Sequence, residues 1–316
     1  MNKIFIFDIW KEIIIPFICP RLYRINELRS VCKFFSTILL AINKKHIRIP
    51  SKKFPTIESA YNVLIECINN NKPVPEIWLG EGYFTNTIKT IKYPIIIRGL
   101  EFNRTVVNNG FKFNIKYDST SILYGLKIIN NKSDGISYQG PLVDSYTYNN
   151  KICVPSLKIY NCEILNCFGT GLKNFNGKVR IYNSKIINNE TGIHSWGRVS
   201  KLYCKNTKVL SNQSGIIIGI TKKKYILKNI KCNYNYGIGI SVGGVDSSIP
   251  VIIKGENTEI SFNNHTFKYK NIYALDVGYN GQINIINLDK SICFSNYNEQ
   301  NVSESSNITF LNNKFC

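Results

Sequence analysis

The sequence predicts a mainly β chain: a right-handed parallel β-helix, built as a solenoid of ~22-residue coils and preceded by a small α-helical segment. Three observations predict it. One pattern recurs down the second half of the chain. Apolar residues alternate with polar ones inside each copy. Asn and Gly stand where the chain must turn.

Four copies align. Leu157-x-Ile159-x-Asn161-x-x-Ile164 precedes Gly171-Leu172, and Val179-x-Ile181-x-Asn183-x-x-Ile186 precedes Gly192-Ile193. Leu202-x-Cys204-x-Asn206-x-x-Val209 precedes Gly215-Ile216, and Tyr225-x-Leu227-x-Asn229-x-x-Cys232 precedes Gly237-Ile238. The Asn positions step by 22, 23 and 23 residues. Weaker copies flank them: Ile95-x-Ile97-x-Gly99, Leu123-x-Gly125-x-x-Ile128 with Gly135-Ile136, and Ile253-x-x-x-Asn257-x-x-Ile260. The longer step from Gly135 to Gly171 implies a coil plus an insertion around Gln139–Pro155.

Alternation at period two puts one set of side chains inside and the other outside. Stacked coils lie ~4.8 Å apart, so equivalent residues meet. Asn161, Asn183, Asn206 and Asn229 are expected to form an amide ladder at one corner, because Asn tolerates left-handed backbone and its side chain both donates and accepts. Gly135, Gly171, Gly192, Gly215 and Gly237 are expected to serve as structural turns into the third strand of each coil. A leucine-rich repeat shares the period and the Asn, but its units carry a helical segment and rely on Leu. Here Gly215-Ile216-Ile217-Ile218-Gly219 is strand chemistry.

The first part of the chain follows a different period. Ile9, Trp10, Ile13, Ile14 and Phe17, then Leu22, Ile25, Leu28, Val31, Phe35, Ile38, Leu39 and Ile42, recur at helical spacing. Pro16 ends or kinks the first helix, and Pro20 suits the first turn of the next. Another amphipathic helix, Thr56 to Ile68, ends before Pro73 and Pro75 and is placed to cap the exposed edge of the first coil. The organisation that follows is a helical domain over residues 1–46, a linker and capping helix over 47–75, and the β-helix with a C-terminal cap over 76–316.

Composition narrows the function. The 316 residues are 44% hydrophobic and carry a net charge of +20. No apolar run reaches the ~18 residues of a transmembrane helix. Asp8, Lys11 and Glu12 interrupt the apolar start, which argues against a signal peptide and for an intracellular protein, in host cytoplasm or nucleus. The ten cysteines include no C-x-x-C pair, so reduced buried thiols are expected and no metal. The basic charge is carried mainly by lysines spread along the chain, with abundant Asn and Ile. That pattern favours genomic AT bias over a nucleic-acid surface.

Two stretches resemble known families. Glu76-Ile77-Trp78-Leu79-Gly80-Glu81-Gly82-Tyr83-Phe84, followed by Pro94-Ile95-Ile96-Ile97-Arg98-Gly99, resembles the opening of pectin-lyase-like β-helices, and the likeness runs over roughly residues 54–300. Asp8-Ile9-Trp10-Lys11-Glu12-Ile13-Ile14, Leu28 and Val31-Cys32-Lys33-Phe34-Phe35 resemble an F-box. The departure is Phe5-Ile6, where F-boxes carry Leu-Pro. The pairing of F-box with β-helix is similar to proteins of large DNA viruses. It implies a substrate-recognition subunit of a cullin–RING ubiquitin ligase. Ile9, Trp10, Ile13, Leu28, Val31, Cys32 and Phe35 would hold a Skp-family adaptor, through it a cullin, and the β-helix would hold a protein target.

No catalytic site, cofactor or metal is expected. Sugar hydrolases of β-helical build use paired carboxylates, whereas Asp134, Glu163, Glu190 and Asp246 are dispersed. His194, beside Trp196, is a candidate ligand contact or a plain surface residue. His46 and His265 suggest nothing. The alternatives are a carbohydrate-binding or carbohydrate-active β-helix, and a structural or nucleic-acid-associated solenoid.

Overall fold

The computed structural model describes residues 46–116, 118–141, 154–219, 223–243, 251–255 and 257–260 with their side chains. It also describes the backbones of six further strands: Thr147–Tyr148, Lys151–Ile152, Leu275–Val277, Gln282–Ile286, Gln300–Val302 and Asn307–Leu311. The residues read as adaptor-binding, from Ile9 to Phe35, lie outside them.

The chain winds as a parallel β-solenoid of about seven turns with a spacing of about 23 residues. Three sheets of 11, 7 and 8 strands run along it. One full coil shows how. Lys178–Tyr182 lies in the first sheet, Lys185–Ile187 in the second and Thr191–Trp196 in the third. The next coil repeats this with Lys201–Lys205, Lys208–Leu210 and Ser214–Ile218, every pair in parallel register.

Alternation does the rest. Ile77, Ile97, Leu123, Ile159, Ile181, Cys204, Leu227 and Ile253 follow one another in register and are fully buried. The second sheet contributes Val107, Ile128, Ile164, Ile186, Val209 and Cys232, and the third Ile136, Leu172, Ile193, Ile216 and Ile240. Each full burial of an Ile or Leu stabilises by about 1.5–3 kcal/mol, so the core is a long sum of equal parts.

The first corner is left-handed in four successive coils: φ is 50° at Asn161, 49° at Asn183, 52° at Asn206 and 50° at Asn229. Asn206 Nδ2 donates to Asn183 Oδ1 at 3.0 Å, and Asn229 Nδ2 to Asn206 Oδ1 at 3.2 Å. In the coil beyond, the corner is Gly255, with φ 105°, and not Asn257 as the sequence alignment had it.

Gly135 and Gly237 stand in bends before third-sheet strands, as expected, but three of the five glycines do not. Gly171, Gly192 and Gly215 lie inside strands of the third sheet. They are needed for room. A Cβ on Gly171 would stand 2.9 Å from Gly192 O, one on Gly192 2.6 Å from Gly215 O, and one on Gly135 2.8 Å from Gly171 O. The column continues to Gly239, whose carbonyl a Cβ on Gly215 would meet at 2.2 Å. Gly237 is outside it. From Cys232 to Gly239 the chain uses one residue more than from Val209 to Gly215, and this shifts the glycine that looked equivalent.

The start of the solenoid is closed by helix α1, Ile57–Asn69. Thr56 caps it: Ser59 N donates to Thr56 Oγ1 at 3.1 Å and Thr56 N to Ser59 Oγ at 3.3 Å. Ile57, Ala60, Tyr61 and Leu64 are buried in the core of the coils. Tyr61 Oη accepts from Lys92 N at 2.9 Å and ties the helix to the coil beneath. Strand His46–Ile49 crosses the boundary drawn between the helical domain and the linker, and it pairs with Glu76–Leu79 as the first strand of the first sheet. The insertion after Gln139 carries the antiparallel pair Thr147–Tyr148 and Lys151–Ile152.

Candidate functional site

With the inward positions committed to the core, recognition falls to the outward ones. The three sheets present different chemistry.

On the second sheet, acids stand among the outward lysines. Glu163 takes Lys127 at 3.8 Å on one side and Lys185 at 3.6 Å on the other, and Lys231 pairs with Glu259 at 3.1 Å. Glu163 and Glu259 each meet lysines of neighbouring coils, although Lys185, Lys208 and Lys231 also stand in a row.

The first sheet does the reverse. Strands Ser156–Tyr160, Lys178–Tyr182, Lys201–Lys205, Ile226–Lys228 and Val251–Lys254 contain no acidic residue. Their outward positions hold Lys158, Lys178, Arg180, Lys201, Lys205, Lys228 and Lys254, interleaved with Tyr160, Tyr182 and Tyr203. Register places Lys158 beside Arg180 and Lys178 beside Lys201, and carries Lys205 to Lys228 to Lys254. The cations crowd: partial burial pushes the Lys178 ammonium below its ordinary pKa, and the charges of Arg180, Lys201 and Lys158 push it further, with Asp118 opposing. The tyrosines stack on each other, Tyr160 on Tyr182 at 4.8 Å and 9°, and Tyr182 against Tyr203 at 5.6 Å. Burial raises the Tyr160 phenol, and Tyr182 adds to it. At the start of the sheet the pattern ends in a balanced cluster: Arg98 Nε donates to Glu76 Oε2 at 2.8 Å, and His46 stacks on Trp78 at 4.0 Å. His46, which suggested nothing in the sequence, belongs to it, 3.6 Å from Glu76.

The third sheet carries a cleft of 670 Å³, between its outer face and the turn at 86–89. Lys112, Ser137, Gln139, Lys173, Phe175 and Trp196 line the sheet side. Asp134 Oδ1 accepts from Thr170 N at 2.9 Å, and Oδ2 lies 3.7 Å from Lys173 Nζ. Lys173 sits over the Trp196 ring at 5.5 Å, and His194 packs on that ring at 4.2 Å. His194 is therefore a half-buried strand residue beside the cleft. Burial lowers its pKa first, Lys173 lowers it further, and Asp134 opposes them. Asp134 is the one carboxylate lining the cleft, and backbone and lysine already engage it.

Inside the coils runs a second Asn ladder that the sequence reading missed. Asn189 Nδ2 donates to Asn212 Oδ1 at 3.0 Å and Asn212 Nδ2 to Asn235 Oδ1 at 3.0 Å, all three buried. The same oxygens accept backbone N–H bonds from Asn189 and Asn212 at 3.0 Å. The signal was present, since these residues also step by 23. Cys162, Cys167, Cys204 and Cys232 are buried thiols outside any disulfide. Burial pushes Cys162 and Cys167 up to about 12. No group of His, Cys, Asp and Glu able to hold a metal occurs among the described residues. No helix among them is long and apolar enough to cross a membrane.

No family model, curated protein or solved structure matches the chain.

Proposed function

We propose that this chain is a substrate-recognition subunit of a cullin–RING ubiquitin ligase, of the F-box and β-helix kind found in large DNA viruses, acting inside the host cell. The observation that carries the reading is the F-box-like pattern from Asp8 to Phe35, followed after ten intervening residues by a solenoid whose first strand begins at His46. A segment of that length with so many apolar residues is too short to bury them in a core of its own, so it needs a partner. Trp10 stands near the start of the pattern and Val31 near its end, and an aromatic anchor such as Trp10 carries a large share of binding energy, about 2 kcal/mol or more. The solenoid supports the second half of the reading. Its outward side chains are held in register by stacked coils, which gives a stiff, pre-organised surface for a target.

Co-precipitation with a Skp-family adaptor tests it. The wild type is expected to bring down adaptor and cullin, and Trp10→Ala or Val31→Asp to lose both while the solenoid stays folded by circular dichroism. A wild type that captures no adaptor sinks the proposal.

The cleft favours a second reading, a carbohydrate-binding solenoid, because Trp196 and Phe175 set ring surfaces beside Lys173 and Gln139. A glycan array decides it: a hit abolished by Trp196→Ala supports this reading, and a blank array removes it.

A further inference from the structure

We propose that the cationic face of the first sheet binds double-stranded nucleic acid through its phosphate backbone, independently of sequence. The inference goes beyond the ligase reading and stands or falls apart from it, since it uses only solenoid residues.

The argument begins with placement. Lys158, Arg180, Lys178 and Lys201 are separated in sequence by roughly one coil, and register sets them side by side on adjacent strands. Lysines that look dispersed along a repeat are therefore concentrated in space. Stacked strands lie ~4.8 Å apart, and outward residues within a strand ~6.8 Å apart. That is a two-dimensional array of positive charge at close to the spacing of neighbouring phosphates.

Like charges packed in this way repel, and the fold could have relieved them as it does on the second sheet, with a Glu163 between two lysines. It does not: the five strands of the face hold no carboxylate. The ion pairs of the described residues join Lys127, Lys185, Lys173, Lys231, Arg98, Arg104 and His46 to acids elsewhere. An array of this kind is stabilised by a polyanion that displaces its counterions. The whole chain, at +20, would steer such a partner in.

The polar chemistry chooses among polyanions. Ammonium, guanidinium and phenol groups are all donors, and donors suit a phosphate backbone, which offers only acceptors. A peptide would bring a backbone N–H at every residue, and to accept it the five strands offer only phenol oxygens, with Asp118 near Lys178 as the neighbouring carboxylate. The tyrosines choose among nucleic acids. Single strands are held by stacking bases on open aromatic rings, but Tyr160 and Tyr182 are closed against each other at 9°. That leaves contacts to backbone, as in a duplex whose bases are already stacked. Lysine in place of arginine fits as well, since point charges read phosphate without reading base edges.

The test is fluorescence anisotropy of a mixed-sequence DNA duplex of about two helical turns, titrated with full-length protein over a salt series. If about five phosphates are neutralised, log K should fall against log salt with a slope of about −4.5, a loss of about 500-fold between about 50 and 200 mM. The triple variant Lys158→Gln, Arg180→Gln, Lys201→Gln should bring the slope to about −1.8, so that the same salt change costs about 12-fold. A second triple variant, Lys127→Gln, Lys185→Gln, Lys231→Gln, removes the same net charge from the second sheet and should leave the slope near wild type. Equal loss in both variants would mean general attraction and overturn the site. So would an absence of binding at about 100 mM salt, a range where non-specific duplex binders still associate. Competition by poly-glutamate at equal charge concentration would overturn it in favour of an acidic protein segment. Adaptor capture is unaffected by any of these outcomes.

Discussion

Two asparagine ladders climb the same coils, and they solve different problems. The outer one, Asn183, Asn206 and Asn229, sits at a corner where φ is near 50° and where water reaches the amides. The inner one, Asn189, Asn212 and Asn235, lies in the dry interior beside the second corner. In the outer ladder the side chain is wanted for the backbone it tolerates, and its hydrogen bonds compete with solvent. In the inner ladder each amide closes a set of bonds that nothing else can close. Asn212 accepts from Asn189 N and Nδ2 and donates to Asn235 Oδ1 and to Ile186 O at 3.2 Å. The same residue at the same period thus serves conformation on the surface and polar satisfaction inside.

The largest difference should appear on truncation. Asn212→Ala leaves several buried groups without partners, each worth about 1–3 kcal/mol. Relaxation will recover part of this, so the loss should be about 4 kcal/mol in a urea melt. A loss below about 1 kcal/mol would mean that solvent already reaches the inner ladder, and the contrast would vanish.

A local probe sharpens the same contrast. Cys232 lies at the foot of the inner ladder, where Asn235 Nδ2 approaches its sulfur at 3.4 Å, and burial holds its thiol well above the ordinary value. Alkylation needs the thiolate, so native Cys232 should label only through opening. In Asn212→Ala its labelling, followed by mass spectrometry of that peptide, should quicken by at least about 10-fold, whereas an outer-ladder change should leave it near wild type. Equal acceleration by both would show that the coils open as one unit.

The Gly column tests a third kind of constraint, room. Gly192→Ala puts a methyl 2.5 Å from Val209 Cγ1 and 2.6 Å from Gly215 O, against a backbone that cannot step aside without moving the next coil. Overpacking of this kind costs about 1–3 kcal/mol, and the upper end is expected here. Gly237→Ala, outside the column, meets Gln213 O at 2.7 Å but in a half-exposed turn, and should cost less.

These cases show what was legible in the sequence. The repeat, its period and the inward stripe of Leu157, Ile159 and Ile164 could be read, because alternation and spacing are one-dimensional properties that the fold preserves. The outer Asn corner was legible for the same reason. Gly239 was not: one added residue in the turn after Cys232 moved the true partner away from Gly237, and only strand register reveals that. Nor was the inner ladder, since Asn189 and Asn212 look like ordinary turn residues until burial is known. The cationic face was hidden most deeply. Lysines spread along a chain suggest dispersion, but in a solenoid an interval of one coil is adjacency. The adaptor-binding pattern rests on sequence alone, because residues 5–42 lie outside the described residues.

The smallest effect is the most discriminating. At Asn206, alanine loses both the ladder bonds and the residue type that accepts φ of 52°, while glycine loses the bonds but keeps the backbone freedom. Left-handed backbone costs an ordinary residue about 1–2 kcal/mol, and exposed amide bonds contribute little after competition with water. Asn206→Ala should therefore cost about 1 kcal/mol and Asn206→Gly about 0.5 kcal/mol or less, with glycine's extra freedom in the unfolded chain offsetting part of its gain. The difference between the two variants isolates conformation from hydrogen bonding, which neither measures alone. If glycine is as damaging as alanine, the outer ladder is held by its amides, and the two ladders differ in exposure but not in kind.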